Sequence, residues 1–321
     1  MRALSLTLLT LSACVTSRDA GVEANERLAA AASRRGDWAV AADLWHRVYL
    51  ADGLNNPRAC LETSRALAEL GDPTSAEALL RDGIRRSPES AALHELHGRV
   101  LEETGWRRAA EAAYVKALEL QPGLTTSLAG LGRVRLQLGL ETSAIAPLER
   151  LVELDPTPDS VRLLTEAARS AGQDTVAYDA YLHLFDLTQG TLWELVDAGS
   201  LGLEAELREE RRASGPVCEA WLSRALEVDP QCARAHIFLG RLRALAGEED
   251  EAAAYLMRAR EIDPGEVETV FELAELELRR GERAAATELL DQAAELAHGE
   301  AARVRLELLL SRAEELTEQA D

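Results

Sequence analysis

Four arginines recur at one point of the sequence pattern, each six residues before a glycine. They are Arg65, Arg99, Arg133 and Arg241. A guanidinium presents a planar set of N–H donors that matches a carboxylate with two parallel hydrogen bonds. In an otherwise acidic chain this series favours binding of acidic peptide segments or of a free carboxylate. A second interpretation is local: the first two arginines have a glutamate four residues later, Glu69 and Glu103, and each pair could stabilise its own helix.

Two histidines are the other side chains whose spacing suits a chemical role. His94 and His97 lie three residues apart, so on one helix face they could share a metal ion, although the zinc-protease motif requires a spacing of four. Both stand where the helical pattern described below requires buried residues. We therefore predict that they are structural histidines and that the chain has no metal site.

The sequence contains no recognisable catalytic or cofactor motif. Gly130-Leu131-Gly132 lacks the third glycine of a phosphate-binding loop and lies inside a predicted helix. No nucleophile is accompanied by a matching base. We predict a protein without catalytic residues or cofactors, and an enzyme with its site in the irregular segment 191–216 is the alternative.

The composition restricts the classes of partner. The net charge is −21, and no basic run is visible that could displace counterions from a nucleic acid, so we predict no nucleic-acid partner. Apolar residues make up 47% of the chain but aromatic residues only 4%. Because leucine, alanine and valine supply most of the apolar content, close helix packing is favoured over a sheet.

A repeated glycine indicates the elements that must position these residues. The series is Gly36, Gly71, Gly105, Gly139, Gly172, Gly247 and Gly281. The steps are 35, 34, 34 and 33 residues, then 75, then 34. A period near 34 indicates stacked helix–turn–helix units. Around Gly105, apolar residues recur at helical spacing over 91–104 and again over 109–120, and Pro122 ends the second helix.

The pattern resembles the tetratricopeptide repeat family over about residues 22–299. The resemblance rests on a small residue in the first helix, the turn glycine, an alanine five residues later, a large residue four further on and a closing proline. Because the two helices cross closely, a small side chain must lie at the crossing and a bulky one must fill the adjacent space. Three repeats show this with Gly98 and Tyr114, Gly132 and Leu148, and Gly240 and Leu256.

The resemblance implies an all-α fold, namely a right-handed α-solenoid of about eight helix–turn–helix repeats. The amphipathic segment 300–321 is expected to form a C-terminal capping helix with one polar side. In this family the position of the four arginines lies on the concave face, where partner segments bind. The resemblance therefore implies a non-enzymatic scaffold that binds protein or peptide partners, acidic segments among them, in the groove of these arginines.

One repeat, near 191–232, is expected to be irregular, because the gap of 75 residues is one period plus about seven residues. Thr191-Leu192-Trp193-Glu194 predicts a capping box that begins a helix. The segment from Glu204 to Arg212 is expected to form a solvated charged helix. This repeat should therefore have an elongated or broken first helix.

The N-terminal residues form a separate segment. Arg2 precedes a short apolar run, Ala3 to Leu11, whereas a bilayer-spanning helix needs about 20 residues. Together with Leu11-Ser12-Ala13-Cys14, the run resembles the signal peptide and lipobox of bacterial lipoproteins. The resemblance implies a signal peptide at 1–13, a lipidated Cys14 and a short tether at 14–21. An ordinary cleaved signal, or an uncleaved N-terminal segment, remains open.

Lipidation of Cys14 would anchor the protein to a membrane of the bacterial cell envelope, facing the periplasm, and we assign it to the outer membrane. Envelope lipoproteins that it looks similar to serve in pilus or secretion assembly, or recruit cell-wall enzymes. We therefore expect a scaffold that assembles or recruits envelope partners. A soluble periplasmic adaptor is the alternative if Cys14 is not processed.

Overall fold

The computed structural model of the protein describes residues 21–207 and 215–318, and every regular element in these two ranges is an α-helix. The chain divides into two compact units, Met1–Ala171 and Gly172–Asp321. The division falls between the two helices of the fifth predicted repeat, at the turn that contains Gly172. The sequence pattern gave no sign of a division at this place.

Unit 1 contains four helix pairs and the first helix of a fifth. Its helices are α1 (21–35), α2 (Trp38–Ala51), α3 (Pro57–Glu69), α4 (Pro73–Arg86), α5 (Ala91–Glu103), α6 (Arg107–Leu120), α7 (Thr125–Gln137), α8 (Glu141–Leu154) and α9 (Pro158–Ser170). Pro57, Pro73 and Pro158 open three of them at the first turn, where the missing N–H has no partner to lose.

Unit 2 contains the second helix of the fifth pair, three further pairs and a final helix. Its helices are α10 (Asp174–Leu187), α11 (Leu192–Leu207), α12 (Gly215–Val228), α13 (Ala233–Leu245), α14 (Glu249–Ile262), α15 (Val267–Arg280), α16 (Arg283–Leu296) and α17 (Glu300–Glu318). In sequence the described residues thus give eight helix pairs and a final helix. The predicted all-α repeat fold is confirmed.

The glycine series marks the turn inside seven of the eight pairs, all except α11 and α12. In the third pair, the backbone N–H of Trp106 donates to the Leu101 carbonyl at 2.8 Å, and Gly105 has φ of +81°. A side chain is strained in this left-handed region, which explains the choice of glycine. All seven glycines of the series have positive φ, between 67° and 81°. The period of 34 residues is therefore the period of the helix–turn–helix unit.

The predicted pairing of a small with a large residue is confirmed where the two helices cross. A Cβ atom at Gly98 would lie 2.8 Å from the ring of Tyr114, and one at Gly240 would lie 2.7 Å from Leu256. Gly132 has the same close relation to Leu148. These positions need glycine because the partner side chain occupies the space of a Cβ atom.

The sixth repeat departs from the others in its first helix, as the sequence predicts. Helix α11 has 16 residues, whereas α5, α7 and α13 have 13. The predicted capping box begins it: the Thr191 N–H donates to the Glu194 carboxylate at 2.6 Å, and the Glu194 N–H to the Thr191 hydroxyl at 3.4 Å. Gly199 meets Leu222 at the crossing. Most of the predicted charged helix from Glu204 to Arg212 lies outside the described residues.

Within each unit, the first helices of successive pairs lie close enough to contact one another. In unit 1, α3 contacts α5, α5 contacts α7 and α7 contacts α9; in unit 2, α11 contacts α13 and α13 contacts α15. Neighbouring second helices in the described ranges make no comparable contact. We call the exposed side of these first helices, within each unit, the first-helix face.

The final helix α17 stacks on the last pair of unit 2. It contacts α15 and α16, and Leu309 is buried there while Ala302, Leu306 and Ala313 pack around it. The opposite side of α17 is exposed to solvent. A terminal repeat needs such a cover because its neighbour on one side is missing.

Candidate partner-binding face

The predicted arginines lie on the first-helix face. Arg65, Arg99 and Arg133 belong to the neighbouring helices α3, α5 and α7 of unit 1, so the structure brings these three into one row. Arg241 belongs to α13 of unit 2. Arg99, Arg133 and Arg241 each follow the glycine that meets the second helix, and one helical step turns the side chain by about 100° away from that crossing.

Arg133 forms the best-defined ion pair of the row. Its Nε and Nη2 donate to the two carboxylate oxygens of Glu102 in α5, at 3.0 and 3.4 Å. The hydroxyl of Tyr114 donates to the same carboxylate at 2.8 Å, and burial together with Glu102 raises the pKa of that hydroxyl well above its usual range. The Glu102 side chain is 13% exposed, whereas that of Arg133 is 43% exposed. The carboxylate thus lies beneath an outward-facing guanidinium.

The other two arginines of the row differ in their partners. Arg65 donates to Glu62 at 3.0 Å, three residues earlier in α3, so it pairs within its own helix but with Glu62 in place of Glu69. Glu69 instead lies 3.9 Å from Arg99 of the next repeat, and Glu103 lies at the same distance along α5, where the sequence placed it. Arg99 is therefore loosely held between two exposed carboxylates. Its guanidinium is the least constrained of the row.

Arg241 belongs to a larger network at the end of unit 2. It lies 3.4 Å from Glu272 and 3.8 Å from Glu268, both on α15. Arg305 of α17 donates to the same two glutamates at 2.7 Å, and its guanidinium carbon is 5.2 Å from the ring centre of Phe271. Burial raises the pKa of the Glu272 carboxyl, although both arginines act in the opposite direction. The network links α13, α15 and α17.

Shallow hollows accompany the arginines on the first-helix face. In unit 1, a hollow of about 310 Å³ is lined by Arg133, Leu136, Leu163 and Glu166, between α7 and α9. In unit 2, hollows of about 260 and 430 Å³ lie along α11, α13 and α15, and Arg234 and Phe238 line both. Sequence reasoning missed these residues. The sequence signal for them is the helical spacing of positions 193, 196, 197 and 200 in α11, which places Trp193 on the first-helix face.

Of the two histidines, His94 has a hydrogen-bond partner, whereas the Nε2 atom of His97 has none among the described residues. The His94 ring Nε2 is 2.9 Å from the carbonyl oxygen of Pro88, and His236 makes the same contact with Pro230 at 3.1 Å. His97 is mostly buried, 3.9 Å from Glu77, and burial lowers its pKa although Glu77 opposes the shift. Within residues 21–207 and 215–318, no group of three or more His, Cys, Asp or Glu is placed to hold a metal ion.

Two predictions fall wholly or partly on residues outside the described ranges. Cys14, together with the predicted signal peptide at 1–13 and most of the tether at 14–21, lies outside them, as does part of the irregular segment 191–216. None of the helices in the described part of the chain is both long and apolar enough to span a membrane.

The chain belongs to the tetratricopeptide repeat family. The family model described as tetratricopeptide repeat matches residues 26–91, 95–161 and 219–267, which together exceed half of the chain. The match agrees with the crossings and turns described above. Proteins of this family generally mediate protein–protein interactions and are typically non-enzymatic scaffolds.

Solved structures similar to this chain include tetratricopeptide repeat proteins. The C-terminal part of such a protein from Cytophaga hutchinsonii is 15% identical, with a TM-score of 0.51 over 77% of this chain and 98% of its own. YrrB, described as having an unusual peptide-binding site, is 19% identical (TM-score 0.49; 60% and 95% covered). PilF of Pseudomonas aeruginosa is 17% identical (TM-score 0.49; 79% and 96% covered). At this identity the likeness concerns the fold alone. No curated protein matches the sequence.

Proposed function

We propose that the protein is a scaffold that binds acidic segments of other proteins on the first-helix face of unit 1. The observation that carries the proposal is the orientation of Arg133 above Glu102. The guanidinium uses two of its five N–H donors in hydrogen bonds to the Glu102 carboxylate beneath it, and the Arg133 side chain remains 43% exposed. A partner carboxylate can therefore add to Arg133 without displacing Glu102.

The neighbouring residues extend this site along the row. Among the described residues, Arg99 has ion-pair contacts of 3.9 Å and its Nε atom makes no hydrogen bond, so its guanidinium can reorient towards a bound carboxylate at little cost. Leu136 and Leu163 line the hollow beside Arg133 and offer apolar contact to the same partner. Charge-assisted hydrogen bonds with adjacent apolar burial give specificity to a segment that carries both kinds of side chain.

The proposal also includes attachment to the cell envelope. Support comes from the sequence alone: Leu11-Ser12-Ala13-Cys14 after a short apolar run, which resembles a lipobox. A lipid on Cys14 would leave six residues, 15–20, before α1, a reach of at most about 22 Å. The scaffold would then work close to a membrane, which we assign to the outer membrane, and would recruit envelope partners there.

Charge reversal on the first-helix face tests the scaffold proposal. In the full-length protein, Arg99→Glu with Arg133→Glu should reduce cross-linked partners in envelope extracts by about tenfold, because the partner's carboxylates would face like charge. Arg81→Glu with Arg150→Glu changes the net charge equally on the second helices α4 and α8, where both arginines are exposed in pairs along their own helix. This control should leave the partners unchanged.

A milder variant keeps the test valid if the reversed protein loses structure near Glu102. Arg99→Lys with Arg133→Lys retains the positive charge but not the planar two-bond geometry, and we expect an intermediate loss. Equal partner recovery from the reversed, lysine and control proteins, at equal helicity, would rule out the arginine row as the binding site.

The anchoring proposal has its own test. Cys14→Ala should move the protein from the detergent phase to the aqueous phase in Triton X-114 partitioning, because the proposed lipid is lost. Cys60→Ala, which removes a buried thiol, is the matched control and should stay in the detergent phase. Aqueous partitioning of the unchanged protein would favour a soluble periplasmic adaptor.

A further inference from the structure

A second arrangement on the first-helix face, in unit 2, has a chemistry of its own. Side chains of α11 at helical spacing, Trp193, Val196, Asp197 and Ser200, face Arg234 and Phe238 of α13 across a hollow of about 260 Å³. We call these six residues the Trp193–Arg234 groove. A hollow of this size fits one large apolar side chain and is smaller than the pockets that hold whole ligands, from about 300 Å³.

Exposed apolar surface is concentrated at one end of the groove. Trp193 is 66% exposed although it stands in the first turn of α11, two residues after the capping threonine. The indole does not pack where α11 crosses α12, because Gly199 and Leu222 form that contact further along α11. Phe238, half-buried, lies opposite. Exposed aromatic side chains of this kind supply most of the energy of peptide contacts.

The charged groups around the groove differ in whether they have partners. Asp197 accepts a hydrogen bond from the Tyr181 hydroxyl at 2.6 Å, and Glu194 accepts one from the Thr191 N–H at 2.6 Å. Arg241, further along α13, lies against Glu268 and Glu272. The guanidinium of Arg234 makes no ion pair or hydrogen bond with the described residues. Arg234 is thus an exposed cation beside two aromatic rings, with no direct ion pair to the described residues, although Glu204, Glu266 and Glu268 line the adjoining hollow.

We propose that the Trp193–Arg234 groove binds an extended peptide in which a large apolar residue stands next to an acidic residue. The apolar side chain enters the hollow between Trp193 and Phe238, and the carboxylate pairs with Arg234 through two N–H donors. Ser200 lies in the same lining and offers a hydroxyl to the peptide backbone. The inference rests on the proposed scaffold function and adds a second contact region, with a pair of aromatic side chains in place of the leucines beside Arg133 in unit 1.

Selection from a random peptide library tests the groove. The full-length protein is immobilised and challenged with displayed peptides about twelve residues long, and the selected sequences are counted by residue type and spacing. We expect peptides with an aromatic residue or leucine beside aspartate or glutamate. Arg234→Ala and Trp193→Ala should each lower recovery of these peptides by about tenfold. Arg234→Glu should change the preferred charged residue to lysine or arginine.

Matched controls separate the groove from general loss of surface. Trp106→Ala removes a tryptophan of similar exposure, 69%, from unit 1, and Arg303→Ala removes an exposed arginine from α17. Both should select the same peptides as the unchanged protein. If peptides are enriched but Arg234→Glu and Trp193→Ala select the same ones, the groove proposal fails and the scaffold function stands. If neither the unchanged protein nor any variant enriches a peptide, both proposals are contradicted.

Discussion

The two units place an arginine at the same point of the repeat and pair it in opposite directions. In unit 1, Arg133 of α7 contacts Glu102 on the preceding first helix, α5. In unit 2, Arg241 of α13 contacts Glu268 and Glu272 on the following first helix, α15. An arginine at the same repeat position therefore links its helix to the preceding repeat in unit 1 and to the following repeat in unit 2.

The reason lies in what the neighbouring helices present. Glu102 stands four residues after the crossing residue Gly98, but the corresponding residue after Gly199 in α11 is Leu203, which is fully buried. Conversely, Glu272 stands two residues before the crossing position of α15, whereas the corresponding residue of α9 is Leu163. Each arginine pairs with the side that offers a carboxylate. The repeat period fixes where the arginine lies, and a single substitution in the next or previous repeat decides its partner.

The largest effect is expected from removing the shared carboxylate of unit 2. Glu272→Ala leaves Arg241 with Glu268 alone, and it leaves the partly buried Arg305 with Glu268 and the more distant Glu275. This loss should lower the local free energy of opening at α17 by about 2 kcal/mol. Hydrogen exchange of the full-length protein, read by mass spectrometry, should show faster exchange over Glu300–Glu318. Glu288→Ala, an exposed change on α16, is the control. Equal exchange in the two variants would show that apolar contacts alone hold α17.

A smaller effect is expected from neutralising Glu102, the carboxylate that pairs with the arginine of unit 1. Glu102→Gln can still accept from the Tyr114 hydroxyl but leaves Arg133 without its opposite charge, which should cost about 1 kcal/mol in the stability of the α5–α7 contact. Adding Leu163→Glu supplies a carboxylate on the following helix, as in unit 2, and should recover part of the loss. Glu149→Gln on α8 serves as the exposed control. No recovery in the double variant would refute the explanation of pairing by neighbouring residues.

The smallest effect concerns a histidine that unit 1 has and unit 2 lacks at this point of the repeat. His97 precedes the crossing glycine, where α13 has the buried Leu239. Burial lowers the pKa of His97, so the unfolded chain binds the proton at a higher pH than the folded one does. Stability should therefore fall slightly as the pH is lowered from about 7.5 to about 6.

The measurement is the urea unfolding free energy at each pH. His97→Gln should flatten the pH dependence, whereas His46→Gln in α2 should leave it unchanged. A slope that persists in the His97 variant would assign the dependence to other groups.

Much of the fold could be predicted because it depends on spacing along one chain. The turn glycines, the Gly98–Tyr114 crossing and the capping box of Thr191 and Glu194 all follow from local geometry, and the structure confirms them. Even the elongated helix α11 follows from counting residues. Periodicity is a strong signal where each element contacts only its neighbours.

The partners of charged side chains could not be predicted in the same way. The sequence shows residues four apart on one helix, such as Arg65 and Glu69, but the structure pairs Glu69 with Arg99 on another helix. Such contacts depend on how closely successive first helices approach and which rotamers the long side chains adopt. The Trp193–Arg234 groove was missed for the same reason, because an exposed tryptophan in sequence does not show what faces it.

The shared carboxylate of Glu102 makes Tyr114 a reporter of events on the first-helix face. This carboxylate accepts one hydrogen bond from the Tyr114 hydroxyl on the second helix and another from the Arg133 guanidinium of the next repeat. A ligand carboxylate bound to Arg133 offsets part of the positive charge that lowers the pKa of Tyr114, and the hydroxyl becomes still harder to ionise. A fluorinated tyrosine at this one position would thus sense occupancy of the arginine row by its resonance, without a label on the partner.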